Sequence, residues 1–144
     1  MSPKDPLSAG LLAPSLAGER IGAPDADLVL VEWRDPGGGF DPPRYIAPLH
    51  VHHEDDEAWY VLDGALRVRV GDEDVLVPAG GAVLVPRGTP HTYWNPESRP
   101  TRYVLVMTRR IDALIAALHA VAAPGPEPIA AVFRDHRSEY LGWP

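Results

Sequence analysis

The chain of 144 residues contains no cysteine. It therefore has no disulfide framework, no thiol nucleophile, no iron–sulfur cluster and no cysteine-ligated zinc site. A chain of this length nevertheless buries enough apolar surface to fold as one domain without cross-links. Any metal site in it has no soft thiolate ligand available.

Positive charge is also scarce. Thirteen Lys and Arg residues stand against 20 Asp and Glu residues, which gives a formal net charge of −7. The longest basic run is the pair Arg109-Arg110. Because binding to a polyanion depends on clustered positive charge, this composition disfavours a nucleic-acid or anionic-membrane partner.

Long apolar runs are absent as well. No run approaches the roughly 20 residues needed to cross a bilayer, and the first 20 residues lack the apolar core of a signal peptide. We therefore expect a soluble cytoplasmic protein that does not act at a membrane.

Proline and glycine are abundant, with 17 and 13 residues, beside 45% hydrophobic residues. This composition favours many short strands joined by tight turns over a helical bundle. Short β-branched or alternating segments agree with it, at 28–33, 45–52, 58–62, 66–70, 75–77, 82–85, 91–94 and 103–108. The sequence thus predicts an all-β domain, either a sandwich or a small barrel.

The chain divides into three predicted parts. Residues 1–25 have weak periodicity and form a flexible N-terminal arm, and residues 26–110 carry the strands of the β-barrel domain. Residues 111–144 form a helical tail that packs on the barrel. The stripe that predicts its first helix has i, i+3, i+4 and i+7 spacing and consists of Ile111, Leu114, Ile115 and Leu118.

A cluster of histidines and carboxylates in the segment HVHHEDDE is the strongest functional signal. His50 and His52 lie two apart on a predicted strand, so their side chains share one face, whereas His53 faces the other side. Glu57 follows a short turn, and His91 lies on a distant strand that a closed sheet brings opposite. We expect the acidic turn 54–56 to be solvated. Any one of these histidines alone is more often a buried hydrogen-bonding residue than a ligand.

Nine positions around this cluster resemble the two motifs of the cupin superfamily. The first motif is matched by His50, His52, Glu57 and Gly64, and the second by Gly80, Pro86, Gly88, His91 and Asn95. The matched order and spacing is far more specific than an isolated His-x-His. One position departs from the pattern, because Arg44 stands where the family has glycine. The likeness extends to small quercetinase-like cupins.

The resemblance implies a double-stranded β-helix, or jelly-roll barrel, with a C-terminal helical segment. It also implies one divalent transition metal ion, which is Fe, Mn, Ni, Co, Cu or Zn, held by His50, His52, Glu57 and His91. Imidazole and carboxylate ligands suit all of these metals. Four protein ligands on an octahedral metal leave two positions for substrate, water or O₂.

Two aromatic residues are candidate walls of a substrate pocket. Trp59 and Tyr93 lie two residues beyond Glu57 and His91, so strand alternation points them into the same interior. They would suit a flat, aromatic or enolisable small molecule. The alternative, that both are ordinary core aromatics, stays open.

Three functions remain open from the sequence. The first is a quercetinase-like dioxygenase in which Glu57 also serves as the catalytic base. The second is a redox-neutral cyclase, isomerase or lyase, such as a polyketide cyclase, that uses the metal as a Lewis acid. The third is a non-catalytic ligand- or metal-binding module. In each case we expect a homodimer in which the N-terminal arm covers a strand edge.

Overall fold

The structure is a computed structural model that describes residues 10–13 and 15–144. Within these residues the elements follow in the order β1 (Arg20–Ile21), β2 (Leu28–Asp35), β3 (His50–His52), β4 (Glu57–Asp63), β5 (Ala65–Val70), β6 (Glu73–Pro78), β7 (Ala82–Val85), β8 (His91–Trp94), β9 (Thr101–Thr108), α1 (Arg109–His119), α2 (Pro126–Asp135) and β10 (Ser138–Tyr140). Neither helix in this part of the chain has the length and apolar character of a membrane span.

The strands form two antiparallel sheets of five strands each. The first sheet has the order β1-β2-β9-β4-β7, and the second has the order β10-β3-β8-β5-β6. Neighbours in each sheet are mostly distant in sequence, which is the connectivity of a jelly roll rather than of a simple meander. The predicted all-β, double-stranded β-helix fold with a C-terminal helical segment is confirmed.

Apolar residues at alternate strand positions meet between the two sheets, as period-two patterning requires. The core that they form contains Val29, Val31, Trp59, Val61, Leu66, Val68, Val77, Val85, Tyr93, Tyr103, Leu105, Met107 and Ile111. The turn between β4 and β5 depends on Gly64, which has a φ of +82°. A Cβ at this position would lie 2.8 Å from the carbonyl oxygen of Pro100, so only glycine fits the turn.

The predicted strand at 45–52 is shorter in the structure, where β3 contains only His50–His52. Tyr45 makes an isolated bridge to Trp94, and the N–H of Ile46 donates to the carbonyl oxygen of Tyr93 over 2.9 Å. Pro48 then lacks the N–H that a continuous ladder requires. The pairing therefore restarts only at His50.

The C-terminal segment both covers and extends the sheets. Helix α1 begins after Thr108, whose hydroxyl accepts a hydrogen bond from the N–H of Ile111. Strand β10 pairs with β3 in the second sheet, and β1 pairs with β2 in the first, so both sheets reach beyond residues 26–110. The division into arm, barrel and tail stays a prediction. Residues 1–9 and Pro14 of the arm lie outside the described residues.

Candidate metal centre

Three neighbouring strands bring the four predicted ligands together. His50 on β3 pairs directly with His91 on β8, and His52 lies one pleat further along β3. Glu57 begins β4 in the other sheet, so its carboxylate reaches the histidines across the sandwich interior. All four side chains are at most 6% exposed, and one ligand atom of each lies within 4.8 Å of the others.

Each histidine is anchored through its Nδ1 atom. The Nδ1 of His50 lies 2.6 Å from the carbonyl oxygen of Pro48, and that of His91 lies 2.9 Å from the carbonyl oxygen of Thr89. The Nδ1 of His52 lies 2.7 Å from the hydroxyl oxygen of Ser138. Since a carbonyl oxygen only accepts, His50 and His91 each carry a proton on Nδ1, and the neutral form of each ring has its lone pair on Nε2.

The Nε2 atoms of His52 and His91 have no hydrogen-bond partner among the described residues, although both are buried. They lie 3.5 and 3.4 Å from the two carboxylate oxygens of Glu57. Leaving such atoms unpaired in a protein interior is costly. Nitrogen lone pairs that converge beside an ionised carboxylate are the donor set that divalent transition metals bind, so the residues present fit a metal ion.

Burial and neighbouring side chains shift the pKa values of His50 and Glu57 in the directions that metal binding requires. Desolvation by burial, followed by repulsion from His91 and His52, lowers the pKa of His50 from 6.5 to about 3. Burial raises the pKa of Glu57, but its interactions with His52 and His91 outweigh that effect and lower the pKa from 4.5 to about 2. At neutral pH His50 is therefore uncharged and Glu57 is ionised.

Hydrogen bonds join the two motif segments beside the ligands. The N–H of Gly88 donates to the carbonyl oxygen of His52 over 2.7 Å. The backbone N–H and the guanidinium of Arg87 both donate to the carboxylate of Asp56, over 2.9 to 3.2 Å. These contacts hold the turn before Glu57 against the turn before His91.

The acidic turn is only partly solvated, which corrects the expectation from sequence. Asp55 is 7% exposed and lies 3.3 Å from the guanidinium of Arg110 on α1. Glu54 also contacts that guanidinium, over 2.9 Å, while His53 is exposed as expected. Arg110 follows the last predicted strand and gave no signal in the sequence that it contacts this turn.

Arg44 replaces the family glycine without disturbing the ligands. Its guanidinium donates to a carboxylate oxygen of Asp35 over 2.8 Å and to the carbonyl oxygen of Gly37 over 2.6 Å. Asp35 also accepts a hydrogen bond from the side-chain amide of Asn95 over 3.1 Å. Arg44 therefore joins a polar cluster that fixes the loop after β2, and Asn95 of the second motif has a structural role.

A cavity of about 540 Å³ lies above the four ligands. His50, His52 and Glu57 line its floor, and the two helices contribute a mostly apolar wall, which we call the roof. The helix residues that line it are Ile111, Leu114, Ile115, Leu118, His119, Ile129 and Phe133. The volume is that of a small-molecule site. The sequence predicted the helical stripe of α1 but not that it lines a pocket.

The two candidate wall residues lie at different depths. Tyr93 lines the cavity, and its hydroxyl lies 2.9 Å from that of Tyr103, which also lines it. Trp59 points inward as predicted but is 1% exposed and lies behind Tyr93 and His91, with ring centroids 5.3 and 5.7 Å away. It is not among the residues that line the cavity. Strand alternation gives the direction of a side chain but not its depth.

The central part of the chain matches a known domain family. Residues 39–107 match the family described as "Cupin domain". Quercetin 2,3-dioxygenase of Bacillus subtilis (strain 168) is 42% identical over 57 residues, which are 40% of this chain and 17% of that protein. The chain spans less than a fifth of the length of the curated relatives it matches.

Solved structures show the same fold. TT1209 from Thermus thermophilus is 26% identical to this chain and superposes on it with a TM-score of 0.51. The superposition covers 75% of this chain and 97% of the TT1209 chain. The cupin domain of Schizosaccharomyces pombe Cnp3 is 16% identical to this chain and superposes on it with a TM-score of 0.53. The superposition covers 62% of this chain and 57% of the Cnp3 chain. The resemblance read from the two motifs is confirmed.

Proposed function

Residues 39–107 form a cupin domain, and from this premise we propose that the chain is a metal-dependent enzyme acting on a small enolisable or aromatic organic substrate. One observation carries the proposal. The four buried side chains His50, His52, Glu57 and His91 bring their ligand atoms within 4.8 Å of one another. The Nε2 atoms of His52 and His91 are unpaired, and His50, His52 and Glu57 line a mostly apolar cavity. Buried, strongly perturbed titratable groups in a cavity are typical of a functional site.

His50, His52, Glu57 and His91 are the proposed ligands of one divalent transition metal ion. When bound, the metal supplies Lewis acidity toward a substrate oxygen and, if it is redox-active, one-electron chemistry. Glu57 meets the requirement for a ligand because its lowered pKa keeps it ionised. The same low pKa makes it a weak proton acceptor, which favours the ligand role over the role of base.

The cavity walls support a substrate that is mostly apolar and carries an oxygen acceptor. The paired hydroxyls of Tyr93 and Tyr103 contain two protons, and one hydrogen bond joins them. The second proton has no acceptor among the described residues. Burial raises the pKa of both hydroxyls, so both stay protonated at neutral pH. We propose that this pair donates a hydrogen bond to a substrate carbonyl or hydroxyl oxygen.

Dioxygenation is the first proposed reaction, supported by the partial likeness to quercetin 2,3-dioxygenase. The second is redox-neutral cyclisation, isomerisation or elimination, supported by a tyrosine pair that polarises an oxygen without any electron transfer. Both reactions need the same four metal ligands. They differ in whether turnover consumes O₂.

Oxygen uptake separates these reactions. Protein loaded with Fe, Mn, Ni, Cu or Zn is mixed with a panel of flavonols and β-dicarbonyls, and O₂ and substrate are followed together. Substrate loss with stoichiometric O₂ uptake supports the dioxygenase, and loss without O₂ uptake supports the redox-neutral enzyme. Metal and substrate binding without turnover for the whole panel would contradict an enzyme and leave a binding module.

A homodimer is the proposed assembly, with a second copy of the chain as the partner. The outer side of the first sheet carries an apolar row across four strands, which in register contains Leu84, Ala58, Val106 and Leu30. Leu84 is 61% exposed, and Tyr60 beside it is 43% exposed. Contiguous exposed apolar surface of this kind is typical of an interaction site. Light scattering at micromolar concentration should give twice the mass of one chain, and a monomer would contradict the proposal.

A further inference from the structure

The three histidines of the metal centre differ in what anchors them. His50 and His91 each donate from Nδ1 to the backbone carbonyl oxygen two residues earlier in the chain. No substitution removes a backbone carbonyl. His52 instead depends on a side chain, the hydroxyl of Ser138, which lies 86 positions away in the sequence.

The hydroxyl of Ser138 has one proton and lies between two hydrogen-bond partners. The carbonyl oxygen of His136, at 3.1 Å, only accepts, so it takes the proton of the hydroxyl. In this arrangement the Ser138 oxygen accepts a hydrogen bond from the Nδ1 of His52 at 2.7 Å, and Nδ1 then carries a proton. Ser138 is 4% exposed and lies directly opposite His52 in the β10–β3 ladder, so water does not readily replace it.

The alternative tautomer of His52 also has a hydrogen-bond acceptor within reach. With the proton on Nε2, His52 would face the carboxylate oxygen of Glu57 that lies 3.5 Å away. That arrangement would place a proton where a metal needs a lone pair. The two tautomers therefore compete, and a hydrogen bond from Nδ1 to the Ser138 oxygen favours the Nδ1–H form.

We propose that Ser138 is a positioning residue that holds His52 in the Nδ1–H tautomer and so keeps its Nε2 lone pair available to a metal ion. The inference rests on the metal centre proposed above. It makes the C-terminal strand β10 part of the metal site, although β10 contributes no ligand. Partners of this type, which hydrogen-bond to ligand histidines, typically change metal affinity by about 10- to 100-fold when they are removed.

Two readouts on Ser138→Ala test the proposal. The first is Zn²⁺ affinity, measured by competition with a chromophoric chelator, because zinc binds nitrogen and oxygen sites more tightly than iron or manganese does. The second is the ¹⁵N chemical shift of the two ring nitrogens of His52 in the metal-free protein. Ser138→Thr keeps the hydroxyl, and Ser98→Ala removes an exposed hydroxyl elsewhere.

We expect Ser138→Ala to lower Zn²⁺ affinity by about 10- to 100-fold and to shift His52 toward the Nε2–H tautomer. Ser138→Thr should restore both readouts, and Ser98→Ala should change neither. A simple packing defect would lower stability without moving the tautomer. Thermal unfolding of the three variants detects such a defect.

The outcomes separate the two proposals. Equal zinc affinity and an unchanged tautomer in Ser138→Ala would overturn the role of Ser138 and leave the metal centre standing. A wild-type protein that binds no zinc, yet shows the tautomer change on substitution, would contradict the metal centre but not the control of the tautomer by Ser138.

Discussion

The floor and the roof of the cavity are built on different principles. By the floor we mean the whole cluster of His50, His52, Glu57 and His91, of which the first three line the cavity; its residues lie on hydrogen-bonded strands of two sheets. The roof consists of apolar side chains from α1 and α2, which lie on the sandwich by packing. If the proposed function holds, metal binding belongs to the floor and substrate fit to the roof, so mutations in the two regions should affect different measurements.

Polar contacts outside the roof side chains connect the C-terminal segment to the strands and turns of the floor. On one side, Arg110 of α1 reaches Asp55 and Glu54 in the turn just before Glu57. On the other, Ser138 of β10 reaches His52, and the ring of Phe133 lies 5.2 Å from that of His50. Substitutions elsewhere in the roof should therefore leave the floor intact.

The largest expected effect follows from removing a floor ligand. His91→Ala deletes one of the three imidazoles and should lower Zn²⁺ affinity well beyond the roughly 100-fold that loss of an outer hydrogen-bond partner causes. Chelator competition measures it. His53→Ala is the matched control, since His53 is exposed next to the cluster. If the two variants lost affinity equally, the cluster would not be the metal site.

The metal-free floor should also make the protein sensitive to acid. His50 has a pKa of about 3 when folded and 6.5 in the unfolded chain, so between these values only the unfolded chain takes up its proton. The free energy of unfolding should therefore decrease as the pH falls from 6.5 toward 3, and Glu57 should add to the loss from pH 4.5 toward 2. Urea titrations across this range measure the slope.

His50→Gln removes the first of these titrating groups. The variant should show a shallower loss of stability between pH 6.5 and 4.5 than the wild type. A wild-type stability that stays constant down to about pH 4 would show that His50 does not remain neutral in the folded protein.

The smallest effect on metal binding should come from the roof. Leu118 lines the cavity and is half-buried, so Leu118→Ala removes contact with a bound substrate and little else. We expect affinity for a flavonol to decrease by about tenfold, the typical effect of lost methylenes in an apolar pocket. Zn²⁺ affinity should be unchanged. A variant that loses zinc affinity as well would show that roof and floor are not separate.

Most of the floor could be predicted from the sequence, because its residues lie in short segments with fixed spacing. Strand alternation placed His50 and His52 on one face, and Glu57 and His91 completed the cluster as expected. Residues outside these segments were harder to place. Ser138 lies on a three-residue strand whose pairing with β3 has no local signal.

The roof was also only partly predictable from the sequence. The apolar stripe predicted α1 as a helix, but periodicity gives only a helix's buried face, not what that face covers. Trp59 shows that strand alternation does not predict how deeply a side chain is buried. Alternation predicted that it points inward, but its packing against Tyr93 and His91 places it in the core. What α1 covers and how deeply Trp59 is buried both depend on contacts between segments that are distant in the chain.

Anomalous diffraction from crystals of the zinc-loaded protein tests the central claim most directly. We predict one peak about 2.0–2.2 Å from the Nε2 atoms of the three histidines and from a carboxylate oxygen of Glu57. A peak only at an exposed pair such as His53 and Glu139, whose side chains lie 3.8 Å apart, would contradict the claim, as would the absence of any peak at the cavity floor.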